Sequence, residues 1–440
     1  MHRGLLQDES TGKNESLLSG IRKRPFYFLI VLLLLINISL IATNTGLWII
    51  AAYQKLFVRA DFTSFYTGYY LVRVGEGENL YDSALQSEYQ QQWMGGLTFE
   101  GGVLLFPNPP FVAILFSPIS FLSLDAAFYL WSLIQLGLLI WLLISLGRLF
   151  SHWNRHERIM LITSVLAFWP LANTFLLGQF SLFLVIGLLQ MYIGMQNSRL
   201  NQAGLWLILL AIKPHTLLIP GMMTLNKRFW RVTISTAIAG MFIFIGSCLI
   251  IGIRPWQQYI QSLQNLGSYF GKYGVHPNTE YTFRGVLSNF LGNSQGNLIN
   301  IISSSILLIG MISVWLIWRT KPSPDRSRIS LYFAFAIQLS VFLSLHLNPH
   351  DSLLLVLPAV LFYDYLRQND YPRKAFSILV LLSPSVFFIS AFNDFNIFDV
   401  IRPPVVVILL ILAWMIRYLI IEYRLQDPKQ IPIFTPTNTT

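Results

Sequence analysis

Charge is scarce in this 440-residue chain: Asp, Glu, Lys and Arg make up 11% of it, against roughly a quarter in soluble globular proteins. With 54% hydrophobic residues, 15% aromatic residues and a mean hydropathy of +0.56, that scarcity excludes a soluble domain and marks an integral membrane protein. Cysteine is almost missing, and Cys248 alone excludes an intrachain disulfide or a cysteine-cluster metal site. Long hydrophilic stretches are missing too. Apolar runs recur from residue 26 to residue 421, which describes one polytopic membrane domain rather than a soluble domain on an anchor. Short alternating segments are lacking, which excludes a closed barrel. No basic stripe exists either: the formal charge of +10 comes from short Lys/Arg clusters between apolar runs. Such clusters face anionic lipid headgroups, so membrane lipids are expected partners and nucleic acid is not.

Residues 26–54 carry no charge and follow Arg22, Lys23 and Arg24, which predicts a first span with its amino end inside. The run is too long for a cleaved signal peptide. Further spans are predicted near 126–149, 232–252, 299–318, 330–347, 352–366, 375–391 and 403–421. Basic segments at 151–158, 196–199, 226–231, 319–328 and 367–374 belong inside. The segments 176–180, 212–215, 253–298, 346–351 and 391–399 then lie outside. This parity requires short helices around 176–215, and such broken elements are tolerated only where other helices bury them or where they line a wet cavity. The proline-interrupted stretch 106–123 reads as a kinked, partly embedded helix. The expectation is an all-α polytopic protein of about twelve transmembrane helices, multi-pass in the plasma (inner) membrane, with both ends cytoplasmic. A disordered amino-terminal segment (1–24) and tail (425–440) flank one transmembrane domain (25–424).

The first external segment, 55–103, is too long for an ordinary connection. Phe62, Phe65, Tyr66 and Tyr69 fall at i, i+3, i+4, i+7, and Leu85, Tyr89 and Trp93 at i, i+4, i+8, which predicts two interfacial helices, the second opened by a capping box in "SALQ" (83–86). Asp61 opens the first helix, either as an N-cap for exposed amides or as a catalytic base. Arg59 reads as a snorkelling anchor. Gln179 and Lys213 each interrupt an apolar run, where a buried charge costs roughly 2.5 to 3.5 kcal/mol. Lys213 therefore reaches a cavity or an anion, or snorkels from a span end. Arg284, in "TFRGVL" (282–287), is able to fork onto phosphate. "HLNPHD" (346–351) gathers His346, Asn348, His350 and Asp351, residues suited to phosphate or sugar hydroxyls. Asp351 reads equally as a cap for the next span, and His346 as a satisfied residue near a span end.

The order of these pieces resembles the polyprenyl-phosphate-sugar-dependent glycosyltransferases of family eighty-seven, membrane enzymes of the GT-C type. The resemblance rests on "DFTSFY" (61–66), "GEGENLYD" (75–82), "NPPFVAILFSPISFLS" (108–123), "LGQFSLFLV" (177–185), "AIKPHTLLIP" (211–220), "TFRGVL" and "NPHDSLLLVLPAV" (348–360). Phe283 and Asn348 depart from the usual Leu and Ser, and the late acid directly follows His350. The resemblance implies a GT-C-type bundle that passes a sugar, mannose or another hexose or pentose, from a polyprenyl-phosphate donor to an acceptor hydroxyl on a glycolipid or glycan. Transfer would occur at the non-cytoplasmic face with inversion. Asp61 would be the base. Lys213, Arg284 and His350 would bind the donor phosphate, and Tyr66, Gln179, His346, Asn348 and Asp351 the substrates. No cofactor and no metal are expected, because the departing phosphate already carries its charge. The rival readings are a flippase or transporter of lipid-linked sugars, against which no internal repeat is visible, and a polysaccharide polymerase or ligase, whose large external loop would sit late.

Overall fold

Apolar segments that leave water must close their own backbone hydrogen bonds, and the chain does so with helices. The computed structural model describes residues 8–96, 99, 103–264, 279–319, 326–392, 396–397 and 400–424, and among them regular structure is entirely helical. Helix α1 (Asp8–Tyr53) carries the first apolar run. It begins inside the stretch 1–24 that was read as disordered; residues 1–7 and the tail 425–440 lie outside the described residues. A 3-10 turn (Leu56–Arg59) leads to α2 (Asp61–Arg73), followed by α3 (Ser83–Trp93). The proline-rich stretch forms α4 (Pro110–Phe116) and a 3-10 turn (Ser117–Phe121), a break that Pro118 enforces by withholding an N–H. After α5 (Leu124–Leu149) come short pieces: α6 (Arg155–Ala167), α7 (Trp169–Leu177), α8 (Ser181–Gln196), α9 (Leu200–Leu207), two 3-10 turns (Ile208–Ile212 and Pro214–Leu217) and α10 (Leu218–Thr224). Then follow α11 (Trp230–Ile251), α12 (Arg254–Gln264), α13 (Phe283–Leu291), α14 (Gly296–Arg319) and α15 (Arg326–Leu343). A 3-10 turn (Pro349–Leu355) enters α16 (Val356–Gln368), and α17 (Lys374–Phe392) and α18 (Pro403–Arg424) complete the fold.

Among the described residues six helices are long and apolar enough to cross a bilayer: α1 from Pro25, α5, α11, α14, α17 and α18. The bent pair α6 and α7, at 41°, makes up to seven. The protein is thus an all-helical, multi-pass membrane protein, with fewer long spans than the twelve expected. The difference lies in the central elements: α15 and α16, read as two full spans, have 18 and 13 residues. Outer helices keep large apolar side chains exposed, as at Phe242 and Leu249 on α11, where lipid is the matching solvent. By contrast α8, α15 and α16 are buried along nearly their whole length, which is what permits such short elements.

The aromatic stripe of α2 faces the protein rather than a headgroup layer. Phe62, Phe65, Tyr66 and Tyr69 are all buried. Phe62 meets Phe128 with ring centroids 5.4 Å apart, Phe65 meets Phe180 at 5.1 Å, and Tyr69 meets Phe116 at 5.8 Å. Helix α3 also packs on α2, with Trp93 4.9 Å from Tyr66 and Tyr89 5.0 Å from Tyr70. Its cap is Asp82 rather than Ser83: the Asp82 carboxylate accepts from the Ala84 and Leu85 amides at 2.9 and 3.1 Å, while Ser83 is already helical. Gln86, outside any capping box, is buried, and its Oε1 accepts from the Phe106 main-chain N–H at 2.8 Å. Gln90 does the same for Leu104, donating to its carbonyl and accepting from its amide.

At the far end of α16 from Asp351, two buried acids lock the bundle. Glu157 caps α6 with Asn154 and takes the Arg367 guanidinium at 3.1 Å, and Asp364 accepts from the Trp153 indole at 2.8 Å.

Candidate active site

Helix α7 ends at Gly178, whose φ of +69° a side chain would strain, and where an added Cβ would lie 2.8 Å from Phe62. The Trp131 indole donates to the Gly178 carbonyl at 2.8 Å. This turn delivers Gln179 into the protein, where it is buried. Its side-chain amide donates to Asp61 Oδ2, and its carbonyl accepts from Lys213 Nζ at 3.0 Å. Asp61 is the first residue of α2, and the capping position belongs to Ala60, with no side-chain cap bond. The N-cap reading of Asp61 therefore falls. Its carboxylate is half-buried, and no described residue donates to Oδ1. Arg59 is exposed.

Lys213 sits between two 3-10 turns with φ −128° and ψ 84°, because Pro214 disfavours helical geometry at the preceding residue. The Asn108 side chain donates to the Ile212 carbonyl at 3.0 Å, satisfying an acceptor that the broken helix leaves open. The ammonium then meets Asp351 Oδ1 and Oδ2 at 2.8 and 2.7 Å. His350 Nε2 lies 3.2 Å from Lys213 Nζ and 3.4 Å from Asp351 Oδ2. A neutral ring nitrogen there accepts from the ammonium, and a protonated one donates to the carboxylate. Ser181 Oγ, at the start of α8, donates to Asp351 Oδ1 at 2.8 Å. Asp351 thus binds side chains inside the turn Pro349–Leu355, not the amides of the next helix, which corrects its reading as a cap. Burial pushes the Asp351 carboxyl upward, but Lys213 and His350 together outweigh it and hold the group well below the usual carboxylate range.

The other expected site residues separate from this network. Arg284 is buried and donates to the Leu345 carbonyl and to Asn300 Oδ1, the latter at 3.2 Å. His346 Nδ1 lies 2.9 Å from Glu280 Oε1. Tyr66 turns its hydroxyl to the Leu122 carbonyl at 2.7 Å. Asn348 opens the turn through its main-chain carbonyl, which accepts from the Asp351 amide at 2.9 Å. Among the described residues no three His, Cys, Asp or Glu side chains are grouped to hold a metal ion.

Ser181, Glu280, His215 and Asn108 were missed from sequence. Ser181 follows Gly-Gln-Phe and His215 follows Lys-Pro, so each sat inside a motif already singled out. Glu280 stands four residues before Arg284, a spacing that pairs charges.

A chain of polar side chains from four distant segments, closed by a partly buried lysine and running to a half-open carboxylate, suits a reaction that handles an anionic leaving group and a proton. The family model of Glycosyltransferase family 87 matches residues 106–347. The chain belongs to glycosyltransferase family 87. The matched region contains Gln179, Ser181, Lys213, Arg284 and His346, and the network extends it to Asp61 on one side and to His350 and Asp351 on the other. This family 87 chain is 27% identical over 198 residues to the polyprenol-phosphate-mannose-dependent alpha-(1-2)-phosphatidylinositol pentamannoside mannosyltransferase of Mycolicibacterium smegmatis. That alignment covers 44% of this chain and 46% of the relative, so the chain matches less than half of the relative's length. No solved structure matches.

Proposed function

We propose that the protein transfers a sugar from a polyprenyl-phosphate donor to a hydroxyl of a glycolipid or glycan acceptor, with inversion, at the non-cytoplasmic face of the plasma (inner) membrane. The observation that carries this reading is the continuous set of contacts Asp61–Gln179–Lys213–Asp351, which joins an open carboxylate to a partly buried ammonium. An alcohol is a weak nucleophile until a positioned carboxylate takes its proton, and Oδ1 of Asp61 is available for that. Gln179 holds the other oxygen and aims it. The departing lipid phosphate needs cationic or N–H donors, and Lys213 with His350 supplies them once the phosphate competes with Asp351 for the ammonium.

In this reading Arg284 acts one step back, fixing the Leu345 carbonyl beside His346. Asn348 and His346 face the substrates, and Tyr66 supports the α2 core. The short central elements complete a GT-C-type bundle of about twelve crossings within a single domain, residues 25–424. Mannose is the first sugar to try, because the Mycolicibacterium smegmatis relative is described as polyprenol-phosphate-mannose-dependent. The test is to incubate purified protein with a panel of radiolabelled polyprenyl-phosphate sugars and a membrane glycolipid extract. Label moving from one donor into a glycolipid or glycan supports the reading. Label that stays on every donor, or donors that cross proteoliposomes without transfer, refutes it.

A further inference from the structure

Two short segments each feed two clusters. Residues 213–215 give Lys213 to the network around Asp351, and His215 to a neighbouring group. Residues 346–351 give His350 and Asp351 to the network, and His346 to that same group. There the rings of His215 and His346 meet edge to face with centroids 6.0 Å apart. Glu280, fully buried, places Oε1 2.9 Å from His346 Nδ1, while its Oε2 accepts from the Thr282 hydroxyl at 3.1 Å. Arg284 stands 3.9 Å from Glu280 and also holds the Leu345 carbonyl, so both members of the Glu280–His346 contact are braced by one guanidinium.

A carboxylate only accepts, so Nδ1 of His346 carries the proton and Nε2 remains for a ligand. The His346 side chain is 25% exposed and open to one. His215 Nε2 is buried with no partner among the described residues. Such a nitrogen is costly to bury unless something fills its hydrogen-bonding site. Burial, then the neighbouring His346, lower His215 to about 3, so its ring is neutral and offers one donor and one acceptor. A hydroxyl, able to donate or to accept, matches the open Nε2 of either ring. A phosphate does not, since Glu280 is paired with Arg284 behind the rings and no net positive charge is left there to hold it. The two clusters therefore present different chemistry: an ammonium that a bound phosphate takes from Asp351, and beside it two ring nitrogens suited to a polyol.

We propose that His215 and His346, with Glu280 as the positioning residue for the second ring, form a hydroxyl-binding subsite that takes the sugar of the lipid-phosphate donor. The assignment rests on the function proposed above. In such a donor the sugar is bonded directly to the phosphate, so a sugar subsite belongs next to Lys213, and this cluster shares two chain segments with it.

The experiment measures kcat and KM for the full-length purified protein with polyprenyl-phosphate mannose and its monodeoxy analogues, in wild type, His346→Gln, His215→Asn and Glu280→Gln. Wild type should lose about tenfold in kcat/KM on at least one deoxy donor, the scale of one hydrogen bond. His346→Gln or His215→Asn should lose about as much on the parent donor and show no further loss on that analogue. Glu280→Gln should raise KM for the donor with kcat changed less than about twofold, and should shrink the same penalty. Equal proportional losses on every donor, as a purely structural role gives, would overturn the subsite, and so would coupling to deoxy acceptors instead of deoxy donors. If Glu280→Gln fails to fold, the two histidine variants decide. Wild type that transfers from no lipid-phosphate sugar overturns the functional reading and the subsite with it, whereas active wild type with unchanged deoxy penalties overturns the subsite alone.

Discussion

Lys213 and Asp351, 138 positions apart in the chain, form an ion pair between a partly buried ammonium and a buried carboxylate, with Nζ 2.8 and 2.7 Å from Oδ1 and Oδ2. A pair so placed fastens the 3-10 turn after α9 to the turn before α16, and it aligns the ammonium for Gln179. Its members are not separately expendable.

Removing Lys213 strands a buried carboxylate, at a cost of up to about 3 to 5 kcal/mol, and removing Asp351 strands a partly exposed ammonium at a smaller cost. Asp351→Asn and Lys213→Met should each lower the melting temperature in detergent or nanodiscs. The double variant Lys213→Met with Asp351→Leu should recover much of that loss. Additive losses in thermal unfolding would show that the pair is not coupled.

Gln179→Glu places a second carboxyl against Asp61 while keeping size. Two carboxylates in contact resist ionising together, so a proton is retained to higher pH. The acidic limb of the pH–rate profile should move upward by about one unit or more, with the alkaline limb unmoved. An unshifted acidic limb would mean that Gln179 does not address the reacting carboxylate.

His215 ties stability to pH with a definite sign. Unfolded, its ring takes a proton near 6.5; folded, burial and the adjacent His346 lower that to about 3. The unfolded state therefore binds more protons in between, so this contribution is complete above 6.5 and is lost as pH falls toward 3. Asp351 acts in the same direction, but only below its ordinary value of 3.8. Melting temperature measured from about pH 7 down to about pH 4 should fall more steeply for wild type than for His215→Gln. Parallel slopes would contradict the account.

Gly178→Ala tests the turn that aims Gln179. The substitution forces a side chain into positive φ and against Phe62, at a cost of roughly 1 to 2 kcal/mol or more. Transfer should fall further than stability alone explains, because Gln179 shifts with the turn. Turnover intact in a folded variant would detach the turn from the site.

The long spans were legible because a charge-free run needs no partner to declare itself: the stretch predicted at 126–149 is Leu124–Leu149, and 232–252 is Trp230–Ile251. The central elements were not, because their ends are closed by remote groups such as Asn108 on the Ile212 carbonyl. The stripe of Phe62, Phe65, Tyr66 and Tyr69 was legible as one face of a helix. Spacing alone, however, does not distinguish a headgroup layer from Phe128 and Phe180. Gln179 and Lys213 stood out as polar residues in apolar runs. Glu280 and Ser181 did not, since their motif and spacing give no role to a carboxylate or hydroxyl until His346 or Asp351 is beside it.

The most direct measurement is single-turnover transfer by Asp61→Asn beside wild type, with donor binding followed in parallel. The account predicts a loss of about a hundredfold or more in rate, the scale of a general base, with donor affinity retained. A variant that transfers sugar at the wild-type rate would contradict it.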